Sequence, residues 1–145
     1  MCGVLGIYRR SGDVVADNIK GLARLQHRGE ESAGMAIVAD GEMTLHKDRG
    51  LVSHVAKLGD WRQMRGNIAI GHVRYSTKGS TTKENAGPIR VPSPIGPIAV
   101  SHNGNLLNAN PLREKLASYG LTFSTTTDTE VIAQCLVFHL QREGT

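Results

Sequence analysis

Met1-Cys2-Gly3-Val4-Leu5-Gly6-Ile7-Tyr8 opens the chain with a short apolar run that directly follows a cysteine. The run is too short for an ordinary helix and predicts a buried strand over residues 3–8. Gly12-Asp13 then marks a turn. Beyond it Val15, Ile19, Leu22 and Gln26 recur at helical spacing, and that helix should stop near Gly29. Residues 35–39 form the next apolar strand, Asp40-Gly41 is a hairpin turn signal, and residues 43–46 return with alternating character. A short helix is expected over residues 52–58, and a strand over residues 68–74 that runs into a polar loop, residues 75–85.

Pro88, Pro92, Pro94 and Pro97 make the following stretch extended and poorly suited to a central strand. Residues 98–101 are read as a strand entering the polar turn His102-Asn103-Gly104-Asn105. Asn110-Pro111 supplies a cap and a first-position proline for a helix ending near Gly120. Thr127-Asp128-Thr129-Glu130 has the form of a capping box opening a last helix to about residue 141. Hairpins are more evident than regular βαβ units, so the fold class expected is α+β in a single domain over residues 1–145.

Composition sets the outer limits. The 145 residues suffice for one domain with a real core, and 39% hydrophobic against 21% charged residues belongs to a globular chain. No apolar run approaches a membrane span, and the N-terminus lacks the basic lead and long apolar stretch of a secretory signal, so a cytoplasmic address is the default. The net charge of +4 raises the question of nucleic acid. Lys and Arg are spread without a block, and few aromatics are available to stack on bases, so a mildly basic solvated surface is the better reading.

Cys2 and Cys135 are the two cysteines. No spacing of Cys and His supports a metal, and Cys135, inside an apolar stretch, reads as a buried small hydrophobe. Cys2 differs because methionine is normally trimmed before a small residue. The mature chain would then begin with a residue carrying both a thiol and a free α-amine. An α-amine titrates at about 7.7–8, so it can take the thiol proton and return one later. Taken alone, position two fits a first-strand cysteine better than a nucleophile.

Four further blocks follow Cys2-Gly3-Val4-Leu5-Gly6-Ile7 in order: Gln26-His27-Arg28-Gly29-Glu30-Glu31-Ser32-Ala33-Gly34, Gly71-His72-Val73-Arg74-Tyr75-Ser76-Thr77, His102-Asn103-Gly104-Asn105-Leu106 and Thr127-Asp128-Thr129-Glu130-Val131. As a set they resemble the N-terminal-nucleophile glutaminase domain of class II glutamine amidotransferases. The His-Arg-Gly-Glu-Glu-Ser-Ala-Gly block is more similar to the amidophosphoribosyltransferase branch than to the sugar-phosphate branch.

The resemblance implies an αββα sandwich of antiparallel sheets, here truncated after its first two-thirds, with the phosphoribosyltransferase domain absent. It implies hydrolysis of glutamine through a Cys2 thioester, with the oxyanion held by the Asn103 amide and the Gly104 backbone N–H. Arg74 would take the substrate α-carboxylate and Asp128 its α-ammonium group. Thr77 would contact glutamine, and Arg28 would shape the pocket near the nucleophile. His27, His72 and His102 are read as structural or as supports behind the residues that meet substrate. No metal or cofactor is implied for this chain, magnesium belonging to the absent phosphoribosyltransferase domain.

The partners implied are glutamine and a synthase domain or subunit within an oligomer, with ammonia destined for phosphoribosylamine in purine synthesis. Two alternatives stay open: a catalytically incomplete binding or regulatory module, and the glutaminase part of another class II amidotransferase. One departure is local. Gly87 stands where the family carries Gln or His before a proline, which removes a polar side chain from that loop.

Overall fold

A computed structural model describes residues 1–75 and 82–143. The elements are β1 (Gly3–Tyr8), α1 (Val15–Arg24), β2 (Ser32–Ala39), β3 (Glu42–Arg49), α2 (Val52–Leu58), β4 (Ile68–Arg74), β5 (Ile89–Val91), β6 (Ile98–Val100), α3 (Ala109–Ser118) and α4 (Asp128–Glu143). Single 3-10 turns lie at Gln26–Arg28 and Trp61–Gln63.

The first four strands form one antiparallel sheet in the order β1-β4-β2-β3, and β5 and β6 pair as a separate two-stranded sheet. The hairpin between β2 and β3 turns at Asp40 and Gly41, both at positive φ, as the Asp-Gly signal requires. Strand β2 is central, and its first six residues, Ser32 to Ile37, are buried.

Alternation sends the two faces of the large sheet to different partners. Toward α1 and α2, Leu22, Val14, Val15, Met35, Ile37, Val52, Val55, Trp61, Ala69 and Val73 form the main core. Each fully buried Leu, Ile or Met there contributes about 1.5–3 kcal/mol relative to exposure. The fully buried Trp61 donates its indole N–H to His46 Nδ1 at 2.8 Å, so its polar atom is satisfied inside the core.

The small sheet lies on the other face. Ile89 and Val91 pack with Ala133 and Val137 of α4, and Ile98, Val100 and Leu121 pack against them. Val4, Gly6 and Ile70 of the large sheet and Ala99 and Val100 of the small one line a shared space of about 340 Å³. The layering is α1/α2, large sheet, small sheet, α3/α4: the antiparallel αββα order expected.

Several boundaries differ from expectation. Strands β2 and β3 each extend three residues beyond the apolar signal, because Ser32 to Gly34 pair with Lys47 to Arg49 through the backbone ladder. The proline-rich stretch supplies β5, a three-residue strand at the edge of a two-stranded sheet. Helix α3 begins at Ala109 with Asn108 at its cap position and no side-chain cap bond. Pro111 therefore sits third in the helix, still within the first turn, where its missing N–H costs nothing.

The capping box at α4 is also altered. Thr127 Oγ1 accepts from the Glu130 N–H, but the Glu130 carboxylate reaches past Thr127 to Ser124 and Thr125. Cys135 is half-buried rather than buried: it lies between buried Gln134 and exposed Leu136 on α4. Among the described residues no helix is long and apolar enough to cross a membrane.

Candidate active site

The block 26–31 fixes both Cys2 and Arg74 from behind. Gln26 bridges two segments: its Nε2 donates to the Gly29 carbonyl at 2.6 Å, and its Oε1 accepts from the Val52 N–H at 2.7 Å. Gly29 lies against β4 so closely that a Cβ there would come within 2.7 Å of backbone atoms of Val73 and Arg74. The Glu31 N–H donates to the Arg74 carbonyl at 3.2 Å. Arg28 Nε donates to the Cys2 carbonyl at 2.9 Å, so Arg28 holds the Cys2 backbone in place.

The register of β1 on β4, with Gly3 opposite Val73, carries Cys2 to the end of β4 beside Arg74. The Cys2 thiol lies 3.8 Å from the Tyr75 carbonyl oxygen. Met1 is 76% exposed, open to removal by an aminopeptidase.

Cys2, His72, Arg74, Gly104 and Asp128 line one cleft of about 690 Å³. Arg74 reaches it from the end of β4, and its Nη1 is buried with no hydrogen-bond partner among the described residues. A buried guanidinium N–H without an acceptor is costly, and an acceptor entering the cleft would relieve that cost. Asp128 enters from the first turn of α4. One carboxylate oxygen accepts from the Leu106 N–H at 2.8 Å, and the other lies 3.7 Å from His102 Nδ1. Asp128 thus ties the His102–Leu106 turn to the helix start while keeping a negative charge in the cleft.

Gly104 is in the lining, whereas Asn103 is exposed and does not line the cleft. Thr77 lies outside the described residues. Among those described, no group of His, Cys, Asp and Glu is arranged to hold a metal.

His72 is buried, and neither ring nitrogen has a partner among the described residues. Burial pushes its pKa from 6.5 down to about 4, and the charges of Arg74, His102 and Lys47 push the same way. The sign follows from comparing folded and unfolded chains. Above pH 6.5 both hold a neutral imidazole; between 6.5 and 4 only the unfolded chain takes the proton, so stability falls as pH falls. The full loss is about 3 kcal/mol. Urea unfolding from pH 7 to 4 should show this slope, and His72→Phe should flatten it by close to one proton. Equal slopes in the two proteins would contradict the assignment.

Some contributors carried no signal in the sequence. Arg113 of α3 donates to the carbonyls of Thr125 and Thr127 at 2.9 and 2.8 Å, and its guanidinium lies over the Phe123 ring at 4.4 Å. Asn85 clamps Thr126 twice: its Nδ2 donates to Thr126 Oγ1 at 3.0 Å, and its Oδ1 accepts from the Thr126 N–H at 3.1 Å. Gly87, the departure noted above, abuts His72, since a Cβ there would meet Nδ1 at 1.8 Å. The ring of His72 fills the place a longer side chain at 87 would need.

Residues 57–139 match the family described as glutamine amidotransferase domain, a span that includes Arg74, Gly104 and Asp128. The chain belongs to the glutamine amidotransferase domain family. It is 50% identical over 133 residues to an amidophosphoribosyltransferase of Synechocystis, covering 91% of this chain and 27% of the relative. To the amidophosphoribosyltransferase of Archaeoglobus fulgidus it is 46% identical over 145 residues, covering 99% of this chain and 32% of the relative.

Among solved structures, the glutamine phosphoribosylpyrophosphate amidotransferase of B. subtilis, complexed with ADP and GMP, superposes with a TM-score of 0.81 at 38% identity. That match covers 92% of this chain and 28% of the other. A structure described as the allosteric regulatory enzyme of purine biosynthesis superposes with a TM-score of 0.83 at 38% identity, covering all of this chain and 30% of the other. The chain therefore spans under a third of the length of these relatives.

Proposed function

We propose that the protein hydrolyses the side-chain amide of glutamine to glutamate and ammonia, with Cys2 as nucleophile after removal of Met1. The supporting observation is the pairing in one cleft of half-buried Arg74, whose Nη1 is buried with no hydrogen-bond partner among the described residues, with an anion, Asp128, beside a thiol. An α-amino acid presents the complementary pair, a carboxylate and an ammonium group, and its side chain then extends toward the sulfur. The planar fork of Arg74 suits the carboxylate through two parallel N–H···O bonds.

The Cys2 α-amine takes the thiol proton, and the thiolate attacks the amide carbon to form a C–S bond. Charge on the amide oxygen is held by the Gly104 N–H and by the Asn103 amide turned inward on substrate binding; such donors are worth about 2.7–4 kcal/mol each in the transition state. The ammonium form of the terminus passes its proton to the leaving nitrogen, the C–N bond breaks and ammonia departs. Water, losing a proton to the same amine, attacks the thioester, releasing glutamate and restoring the thiol. Thr77 contributes to the glutamine contacts. None of these steps calls on a metal or cofactor.

On this reading residues 1–145 are the glutaminase portion of a larger assembly. The ammonia acceptor belongs to a synthase domain or subunit beyond these residues, and the compartment is the cytoplasm. The direct test is release of glutamate and ammonia from glutamine by protein whose first residue is Cys2. Release is expected, with asparagine a poor substrate; no release from glutamine would overturn the proposal.

A further inference from the structure

The face of the large sheet that looks into the cleft carries a row of residues set by the strand register. His72 on β4 pairs with Gly34 on β2, and Gly34 pairs with Lys47 on β3. Paired residues of an antiparallel sheet point to the same side, so these three share that face. The segment 84–88 lies across the row. Gly87 abuts the His72 ring, its carbonyl sits over Gly34 where a Cβ would come within 2.1 Å, and Lys47 grips the far end. Lys47 Nζ donates to the Glu84 carbonyl at 2.8 Å and to the Ala86 carbonyl at 2.6 Å. Beside it, Lys83 pairs with Asp48 of β3 at 2.9 Å.

The same segment then reaches the substrate wall. Asn85, between the two carbonyls that Lys47 holds, clamps Thr126 through its backbone N–H and its hydroxyl. Thr126 is two residues before Asp128, and Asn85, Gly87, Thr126 and Asp128 all line the cleft. A continuous route of hydrogen bonds thus runs from β3 to the start of α4, and among the described residues Lys47 is its only charged donor on the sheet. Lys47 is half-buried, and burial lowers its pKa to about 8 against the pull of Glu130 and Glu84, so its ammonium is held where desolvation disfavours it. Two charge-assisted bonds to main-chain carbonyls offset that cost, and their return is a fixed position for segment 84–88.

We propose that Lys47 is a positioning residue for substrate recognition: by fixing segment 84–88 it sets, through Asn85 and Thr126, where Asp128 meets the ammonium group of the bound amino acid. The inference rests on the glutaminase reading above. Lys47 touches neither substrate nor thiol, so its loss should weaken binding without altering the bond-making step. Removing interactions equal in ground and transition states raises KM and leaves kcat.

The test compares Lys47→Met, Lys47→Arg and Thr126→Val, the last cutting only the hydroxyl end of the Asn85 clamp. For Lys47→Met the glutamine KM should rise about ten- to a hundredfold, the equivalent of one lost charge-assisted hydrogen bond, with kcat at saturation within about twofold. Alkylation of Cys2 by iodoacetamide, which needs no glutamine site, should keep its wild-type rate. Lys47→Arg should restore most of the KM, and Thr126→Val should raise KM in the same direction.

A Lys47→Met protein with wild-type KM would overturn the proposal, as would equal loss of kcat and thiol reactivity, which marks a general folding defect. Should Lys47→Met fail to fold, Thr126→Val decides: an unchanged KM there refutes the route. Wild-type protein that does not hydrolyse glutamine would remove the glutaminase reading and this inference with it; active wild type with an insensitive Lys47 removes this inference alone.

Discussion

Cys2→Ala is expected to lower glutamine hydrolysis by about 10⁴-fold or more, the scale seen when a covalent nucleophile is removed from an otherwise intact site. The structure explains why the loss should be confined to chemistry. Cys2 is held through its main chain, by Arg28 on its carbonyl and by the β1–β4 register that begins at Gly3. Among the described residues its thiol makes one long hydrogen bond, to the Tyr75 carbonyl at 3.8 Å. Truncating it leaves those backbone anchors in place, so glutamine should still bind, detectable as protection against thermal unfolding. The Ala variant must be shown by mass to have lost Met1, so that both proteins carry the same α-amine.

Arg74→Gln should reduce kcat/KM for glutamine by about 10²–10³-fold, the effect of deleting one partner of a desolvated charge pair worth 2–5 kcal/mol. The stability of the free protein should hold or rise. Nη1 has no partner among the described residues, so the substitution removes a buried donor that folding leaves unmet. An Arg74 serving only as a structural ion pair would behave in the opposite way, losing stability on substitution with little change in glutamine kinetics. Urea unfolding of both proteins with and without glutamine separates the two cases.

The architecture was legible wherever side-chain chemistry and periodicity agreed. Strands β1 and β4, helix α2 and the Asp40-Gly41 hairpin stand where alternation, apolar runs and turn residues point. Strands β2 and β3 run further because their added residues, Ser32 to Gly34 and Lys47 to Arg49, are paired by backbone groups that every residue carries. Residue type says little about such pairing. Ile89–Val91 forms a strand between prolines because an edge position tolerates the missing donors nearby.

The site divides along the same line. Cys2, Arg74, Gly104 and Asp128 belong to ordered blocks, and the fold brings them to one cleft from β1, β4, the turn after β6 and α4. Arg28 donates to the Cys2 carbonyl, and Asn103 is exposed. Lys47 and Arg113 were silent because their partners are main-chain carbonyls, which leave no complementary residue type to find. Asn85 reads in the sequence only as the end of a polar loop, yet it makes the clamp that ties the loop to the helix bearing Asp128.

The most direct test of the central claim is intact and peptide mass spectrometry of the protein after brief reaction with glutamine and acid quenching. The account predicts a chain that begins at Cys2, with a glutamyl group in thioester linkage on that residue and none on Cys135. A chain that keeps Met1 yet hydrolyses glutamine at full rate, or a glutamyl group on any residue other than Cys2, would contradict it.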